Sequence, residues 1–448
     1  MYTAYIGRRL VDLINARNET QLTVGAFFKS EQYFGLFFDD ERYLQHVNNS
    51  KFDQAYKQKG KTPLTADLRA SVLVAQQHRI EKYTPDGSFF LGGAAAEATA
   101  GTSGQVTDIA LPISPEEVYA SWIGAALGIG VSGGLNLLVD DDRLLLTLYE
   151  GWTLYRWYMQ ETPKLKPHQI NTWNGWWLIT AFNRKFNPAN PFERQPDAKV
   201  DKATGGISLE TQKWVKVMFA LARNLPPAQP LTTYVYSLSQ MNTTIGFIQI
   251  RLRDMVTVEH ELRRQLFAHR GDLNDEAIDT LYNTELGFQR ACELGAIGIQ
   301  ALEPESLRDY MSRGDRPGKP FKSPKHKDDP LLITYTIYQT WLMAMLDNQQ
   351  LLNLSEEVAQ ILSNIGALSQ RGKTTNRNLV QRVLEATSRP EIIKQLAGLV
   401  AVAPEQHAIL DQTTNVVATM QLTQIPLFIA LLKLKYAVAE AKSTQSIK

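Results

Sequence analysis

Between Ser312 and Pro330 the chain carries Gly314, Pro317, Gly318, Pro320, Pro324 and Pro330, interleaved with Lys319, Lys322, Lys325 and Lys327. No long helix or central strand runs through such a stretch. Each proline fixes φ and lacks an N–H, and the lysines favour solvent. The stretch separates two regions of different character. Residues 1–311 read as a mixed α+β domain, 312–330 as a Pro/Lys-rich linker, and 331–448 as helices throughout. The expected fold class is α+β and predominantly helical: a mixed N-terminal domain, then a C-terminal antiparallel helical bundle. The short loops between the last helices point to antiparallel neighbours.

In the first region, Tyr2 to Ile6 reads either as a short strand or as the lead into a helix. Val11–Arg17 and Leu64–Ile80 have helical spacing. Ser114-Pro115-Glu116-Glu117 is a helix start: serine caps, proline suits the first turn, and the carboxylates favour the positive end of the dipole. Arg143–Gln160 reads as a second helix, 163–206 as irregular, Ser208–Arg223 as a helix, Thr244–Leu252 as a strand and Asp254–His269 as a helix. The last third reads as helices at Leu331–Asn348, Ser355–Ser369, Arg377–Ala386, Arg389–Val402, after Gln406, and Leu427–Ala441.

The chain has 448 residues, 44% hydrophobic and 21% charged, an ordinary globular composition. Its one cysteine, Cys292, excludes an internal disulfide framework and a cysteine-rich zinc site. The N-terminal residues do not have the order of a signal peptide, and the most apolar run, Ile425–Leu434, is interrupted by Pro426 and Lys433. No membrane segment is expected. A net charge of +1 is low for a protein that coats nucleic acid alone.

The seven histidines form no ligand pair of metal spacing, so neither a metal nor another cofactor is expected. Asp140-Asp141-Asp142 precedes Arg143 and reads as a solvated turn opening a helix. Gly128-Ile129-Gly130-Val131-Ser132-Gly133-Gly134 lacks the lysine of a phosphate loop and follows a helix. It reads as a tight turn or as a place of close approach to a phosphate or groove edge. No nucleophile set is evident, so no catalytic residue is expected. Gln169 to Trp177 packs three tryptophans and two asparagines into a loop-like segment. It reads as a packing anchor or as a reader of nucleic acid, where asparagine bonds base edges and an aromatic ring stacks. Arg371-Gly372-Lys373-Thr374-Thr375-Asn376-Arg377 mixes cations with hydroxyl and amide donors between helices, the chemistry a phosphate backbone takes up.

Several stretches carry a resemblance. They are Tyr5-Ile6-Gly7-Arg8-Arg9, Tyr43 to Ser50, Thr102 to Asp108, Ser121-Trp122-Ile123-Gly124, the glycine loop, and Ile170-Asn171-Thr172-Trp173-Asn174-Gly175. With the helical C-terminal third, they resemble the large subunits of type I CRISPR effector (Cascade) complexes, nearest to the I-B group. Some relatives carry paired CxxC zinc motifs, which are absent here.

The resemblance implies a non-enzymatic subunit. Its N-terminal domain would sit at the 5′ end of the guide crRNA and read the protospacer-adjacent motif (PAM) in double-stranded target DNA. Its C-terminal bundle, similar to the small subunit, would line the path of the displaced strand. Partners would be the backbone, guide 5′-end and small subunits and a recruited helicase-nuclease. Met311, Met343 and Met345 are candidate internal starts for a separate small subunit. The location would be cytoplasmic. The candidate motif readers are Gly133, Gly134, Asn136, Asn171, Trp173 and Asn174. Candidate strand contacts are Lys322, Lys325, Arg371, Lys373 and Arg377, and candidate guide-RNA contacts are Arg8 and Arg9. Two other classes compete. One is a structural subunit of a phage-like or contractile assembly, suggested by the tryptophan-rich middle and neutral charge. The other is an enzyme using the glycine loop.

Overall fold

Serine, aspartate and threonine caps set several of the helix starts. Ser114 Oγ accepts from Glu117 N at 3.3 Å, and Asp141 Oδ1 accepts from Leu144 N at 3.0 Å. These caps are drawn from a computed structural model that describes residues 1–40, 42–58, 64–82, 113–226, 230–238, 244–267, 292, 296–304, 306–326, 331–368 and 374–445. The chain is α+β and predominantly helical, with a helical C-terminal region. It divides into two units: Met1–Arg253 with Phe288–Ile297, and Asp254–Gly287 with Gly298–Lys448.

In the first unit, α1 (Tyr2–Asn18), α2 (Val24–Lys29), a π-helical turn leading into α3 (Leu36–Phe38), α4 (Lys51–Gln58), α5 (Ala66–Lys82) and α6 (Pro115–Ala126) precede the sheet. Tyr2 to Ile6 is helical from the start, which resolves the strand alternative. Aromatic rings fill the centre: Phe28, Tyr33, Phe37, Trp122 and Trp152 are all fully buried.

The strands are β1 (Ile129–Val131), β2 (Leu135–Val139), β5 (Leu231–Ser237), β6 (Thr244–Ile250) and β7 (Ala296–Ile297). They form one sheet in the order β1-β2-β5-β6-β7, antiparallel except for the β6–β7 pair. A separate small hairpin pairs β3 (Ala198–Val200) with β4 (Ile207–Leu209). Helix α8 (Ile170–Ala181) packs against β1, and α7 (Asp142–Glu161) and α9 (Trp214–Asn224) each pack against α8. Helix α8 is a correction to the irregular reading of 163–206. α10 (Leu252–Phe267) follows β6.

The second unit contains α11 (Leu331–Leu346), α12 (Gln349–Leu368), α13 (Thr374–Glu385), α14 (Arg389–Val400), α15 (His407–Thr419) and α16 (Ile425–Gln445). All six were expected within a few residues. The window Leu422–Ser443 is long and apolar enough to cross a membrane by length and composition alone, and half of it is buried. In this fold Phe428–Leu434 form the core that α16 shares with α11 and α12.

The Pro/Lys-rich segment is not the boundary. The units divide at Arg253–Asp254, and residues 312–326 belong to the second unit. Phe321 stacks on Tyr310 at 3.9 Å, Tyr335 donates to Lys322 O at 2.6 Å, and the Lys433 ammonium donates to Gly318 O at 2.8 Å. Prolines stop helix formation there, yet aromatic stacking and two long-range hydrogen bonds fasten the segment to the helices.

Candidate functional site

The glycine loop folds as the β1–β2 hairpin. Ile129 pairs with Leu137 and Val131 with Leu135, which leaves Ser132-Gly133-Gly134 as the connection. Gly133 and Gly134 hold φ of +95° and +73°, a region that favours glycine. Both are exposed, and a Cβ at either would meet nothing within 4 Å. Below the tip the hairpin is tightly packed. A Cβ on Gly130 would lie 3.1 Å from Asn171 O. One on Gly128 would lie 2.6 Å from the Tyr236 hydroxyl and 2.8 Å from the amides of Asn136 and Asn171. The tight-turn reading holds at Gly133 and Gly134, while Gly128 and Gly130 admit close packing within the unit.

Of the other expected motif readers, Asn136, Trp173 and Asn174 are buried and Asn171 is half-buried, and the last three lie on helix α8 and not on a loop. Asn136 is 1% exposed and sits opposite Tyr236 across the β2–β5 ladder. Burial holds the Tyr236 hydroxyl protonated, far above its ordinary range. Asn171 Nδ2 donates to Ala125 O and Gly128 O, both at 2.9 Å. Asn174 Nδ2 donates to Ala126 O at 2.8 Å and Gly128 O at 2.9 Å. The two amides thus add donors to carbonyls at and just past the C-terminal end of α6, where helix hydrogen bonding runs out. Trp173 is fully buried, stacks on Tyr155 at 4.9 Å and donates its indole N–H to Gly151 O at 2.9 Å. Trp177 does the same to Thr147 O at 2.7 Å. The tryptophan cluster therefore packs α8 on α7, with the indole N–H groups of Trp173 and Trp177 finding backbone acceptors.

The acidic triplet is equally committed. Asp141 caps α7, while Arg9 Nε lies 3.0 Å from Asp140 Oδ1 and Arg9 Nη2 lies 2.5 Å from Asp142 Oδ1. Tyr5 also donates to Asp140, at 2.8 Å. Arg9, one of the two candidate guide-RNA contacts, is thus paired with two carboxylates. Arg8 is 46% exposed and only loosely paired, 3.6 Å from Glu117. In the second unit Lys322, Lys325 and Arg377 are exposed. Arg371 and Lys373 lie outside the described residues.

No protein-family model matches the chain, and neither does any curated protein or solved structure.

Two side-chain groupings went unseen in the sequence. In the first unit, His168 sits at φ +67°, its ring 5.0 Å from that of His46, and His46 Nδ1 lies 4.0 Å from Asp53 Oδ1. Residues 46, 53 and 168 are too distant in sequence for any motif to join them. Burial, reinforced by His46, lowers the His168 pKa to about 4, so its imidazole is neutral at pH 7. In the second unit, Lys433 lines a groove with Arg377 and Tyr436. Its sequence signal was a lysine inside an apolar run. Among the described residues no three His, Cys, Asp or Glu side chains converge to hold a metal ion.

Proposed function

We propose that the chain is the non-catalytic large subunit of a cytoplasmic, crRNA-guided DNA-binding complex. In that role the β1–β2 hairpin tip is the part that meets the protospacer-adjacent motif of the duplex. The observation that supports this is the Ser132-Gly133-Gly134 tip. Its two glycines are exposed and free of side chains, and they are carried on a hairpin whose base is held by Asn136, Asn171 and the α8 backbone. A bare turn lets backbone N–H groups approach a base edge or a phosphate more closely than any side chain allows. Guide pairing supplies sequence recognition in such complexes, so the protein needs only a short-motif reader and scattered cations. Arg8 on the first unit and Lys322, Lys325 and Arg377 on the second remain as exposed cations for strand or guide contact. Near-neutral net charge suits a subunit that shares the nucleic acid with backbone and small subunits, with cutting left to a recruited helicase-nuclease.

The alternative, a structural subunit of a phage-like assembly, drew on the tryptophan-rich middle. Trp173, Trp176 and Trp177 are at most 4% exposed, so that segment offers a partner no surface.

The experiment is purification of the native particle, followed by RNA extraction and binding of motif-bearing and motif-free duplexes. Short guide-sized RNA is the expected companion. Gly133→Asn with Gly134→Asn adds two side chains that tolerate positive φ. It is expected to weaken binding of the motif-bearing duplex by about tenfold, or about 1.4 kcal/mol, while the motif-free duplex binds as before. A particle without short RNA sinks the assignment. Unchanged discrimination by the double variant removes the hairpin from it.

A further inference from the structure

The second unit encloses a groove of about 580 Å³ between α12, α13, α16 and the Gly318–Phe321 segment. One wall is a polar stripe on α16. Lys433, Tyr436, Glu440 and Ser443 are spaced three, four and three residues apart, which puts them on one helix face. The other walls include Phe321, Val380 and Leu384, with Arg377, Gln381 and Glu385 of α13 adding polar groups.

Lys433 is the unusual member. It is 4% exposed and lies in the buried run Phe428–Leu434, yet it lines this open groove. Its Nζ donates to Gly318 O at 2.8 Å, a neutral acceptor that does not demand a charged donor. Four other ionisable groups line the groove: Arg377 and Glu385 on α13, and Tyr436 and Glu440 on α16. Glu385 favours the ammonium, but burial outweighs it and brings the pKa down to about 8. Tyr436 stays protonated, its hydroxyl pushed up to about 12 by burial beside Glu440. Glu440 itself accepts from Ser323 Oγ at 2.5 Å.

A buried amine with one neutral hydrogen-bond partner, facing a ligand-sized groove with a phenol and two carboxylates, has the parts for carbonyl capture. We propose that this groove binds a small aldehyde or ketone and holds it as an imine on Lys433. The neutral amine donates one N–H to Gly318 O and keeps its lone pair for the carbonyl carbon. Attack forms the C–N bond; the nitrogen, now an ammonium, gives up one proton and the carbonyl oxygen takes one, which leaves a neutral carbinolamine. Loss of the remaining N–H proton and departure of the hydroxyl as water leave the C=N bond. Tyr436, Glu385 and Glu440, which line the same groove, are the groups available to carry those protons. Phe321, Val380 and Leu384 suit an apolar or aromatic body on the ligand, and Arg377 suits an acidic group.

The test uses the full chain, 2-hydroxybenzaldehyde as the probe and cyanoborohydride as the hydride source that converts the imine to a stable secondary amine. Peptide mapping by mass spectrometry then locates the label. Lys433 is expected to be labelled ahead of the more exposed Lys199 and Lys319, whose side chains are 79% and 70% exposed. Its rate should level off above about pH 8, whereas ordinary lysines, with pKa near 10.4, keep gaining about tenfold per pH unit. Tyr436→Phe should slow labelling without moving it to another residue. Lys433→Arg should remove that adduct alone; if this variant does not fold, the wild-type pH profile decides. Label on exposed lysines first, with Lys433 reached only after denaturation, overturns the proposal and leaves Lys433 as a tie to Gly318. Either result leaves the hairpin assignment in the first unit untouched.

Discussion

Gly7 on α1 and Gly124 on α6 meet backbone to backbone where the two helices cross. A Cβ on Gly7 would lie 1.9 Å from Ala120 O and 2.8 Å from Gly124 N. One on Gly124 would lie 1.9 Å from Thr3 O and 3.0 Å from Gly7 N. Beside the crossing, the hydroxyls of Thr3 and Ser121 share a buried hydrogen bond of 2.9 Å. The two stretches Tyr5–Arg9 and Ser121–Gly124, which drew notice in the sequence as separate motifs, are the two sides of this one contact.

Gly7→Ala and Gly124→Ala should therefore each destabilise the first unit by about 3 kcal/mol. The helices must part across their whole interface, which outweighs the ~1 kcal/mol that alanine gains in helix propensity. The double variant should cost clearly less than the sum, because one separation accommodates both methyls. Urea denaturation followed by tryptophan fluorescence is the measurement. Of the eight tryptophans all but Trp341 lie in the first unit, so the signal reports on it. Stability equal to wild type in either single variant contradicts so close a crossing.

Asn174 gives a second prediction. Its amide serves two buried carbonyls, of Ala126 and Gly128. Asn174→Ala leaves Ala126 O without that donor, whereas Gly128 O keeps the Asn171 amide, and an unpaired buried carbonyl costs on the order of 1–3 kcal/mol. A loss of about 2 kcal/mol in the same denaturation assay is expected. The folded variant should keep the wild-type preference among duplexes. Lost motif preference with unchanged stability would return Asn174 to a reading role.

How legible this was in the sequence differs from element to element. Ser114-Pro115-Glu116-Glu117 announced α6 because the cap is local, and the six C-terminal helices followed from periodicity. Helix α8 was hidden because Asn174-Gly175 is a turn signal. Here Asn174 bonds another helix, and a Cβ on Gly175 would lie only 2.8 Å from Gly130 O. Arg9, read as a candidate guide-RNA contact, is paired with Asp140 and Asp142, over 130 positions away. The Pro/Lys-rich segment read as a linker because nothing local reveals Phe321 stacking on Tyr310 or Lys433 reaching Gly318. Local chemistry was readable, whereas partners supplied by the distant chain were not.

Acid should weaken the first unit through His168. Its pKa is lowered to about 4 in the folded chain, against about 6.5 unfolded. Between those values the unfolded chain binds the extra proton, so stability falls as pH drops from about 6.5 towards 4 and is complete above that window. The groups acting on it are His46, which lowers the pKa further, and Asp53, which raises it. The loss from this group amounts to up to about 3 kcal/mol. His168→Asn keeps a residue that tolerates φ near +67° and removes the titration. Denaturation midpoints for that variant should fall less steeply between pH 7 and 4.5. Parallel pH profiles for the two proteins would exclude His168 as the source.

The last prediction concerns salt. Lys322 and Arg377 are exposed on the second unit. If they contact the displaced strand, each neutralised phosphate contributes about 0.7 to the slope of log K against log salt. Replacing both by glutamine should flatten that slope by about 1.4. Affinity should fall to a similar degree for every target sequence, since phosphate contacts carry no sequence information. The measurement is target binding by the purified particle across a salt series, with guide-matched targets of differing flanking sequence. A slope unchanged within error frees both residues from strand contact. A loss confined to one sequence would instead assign them to base reading.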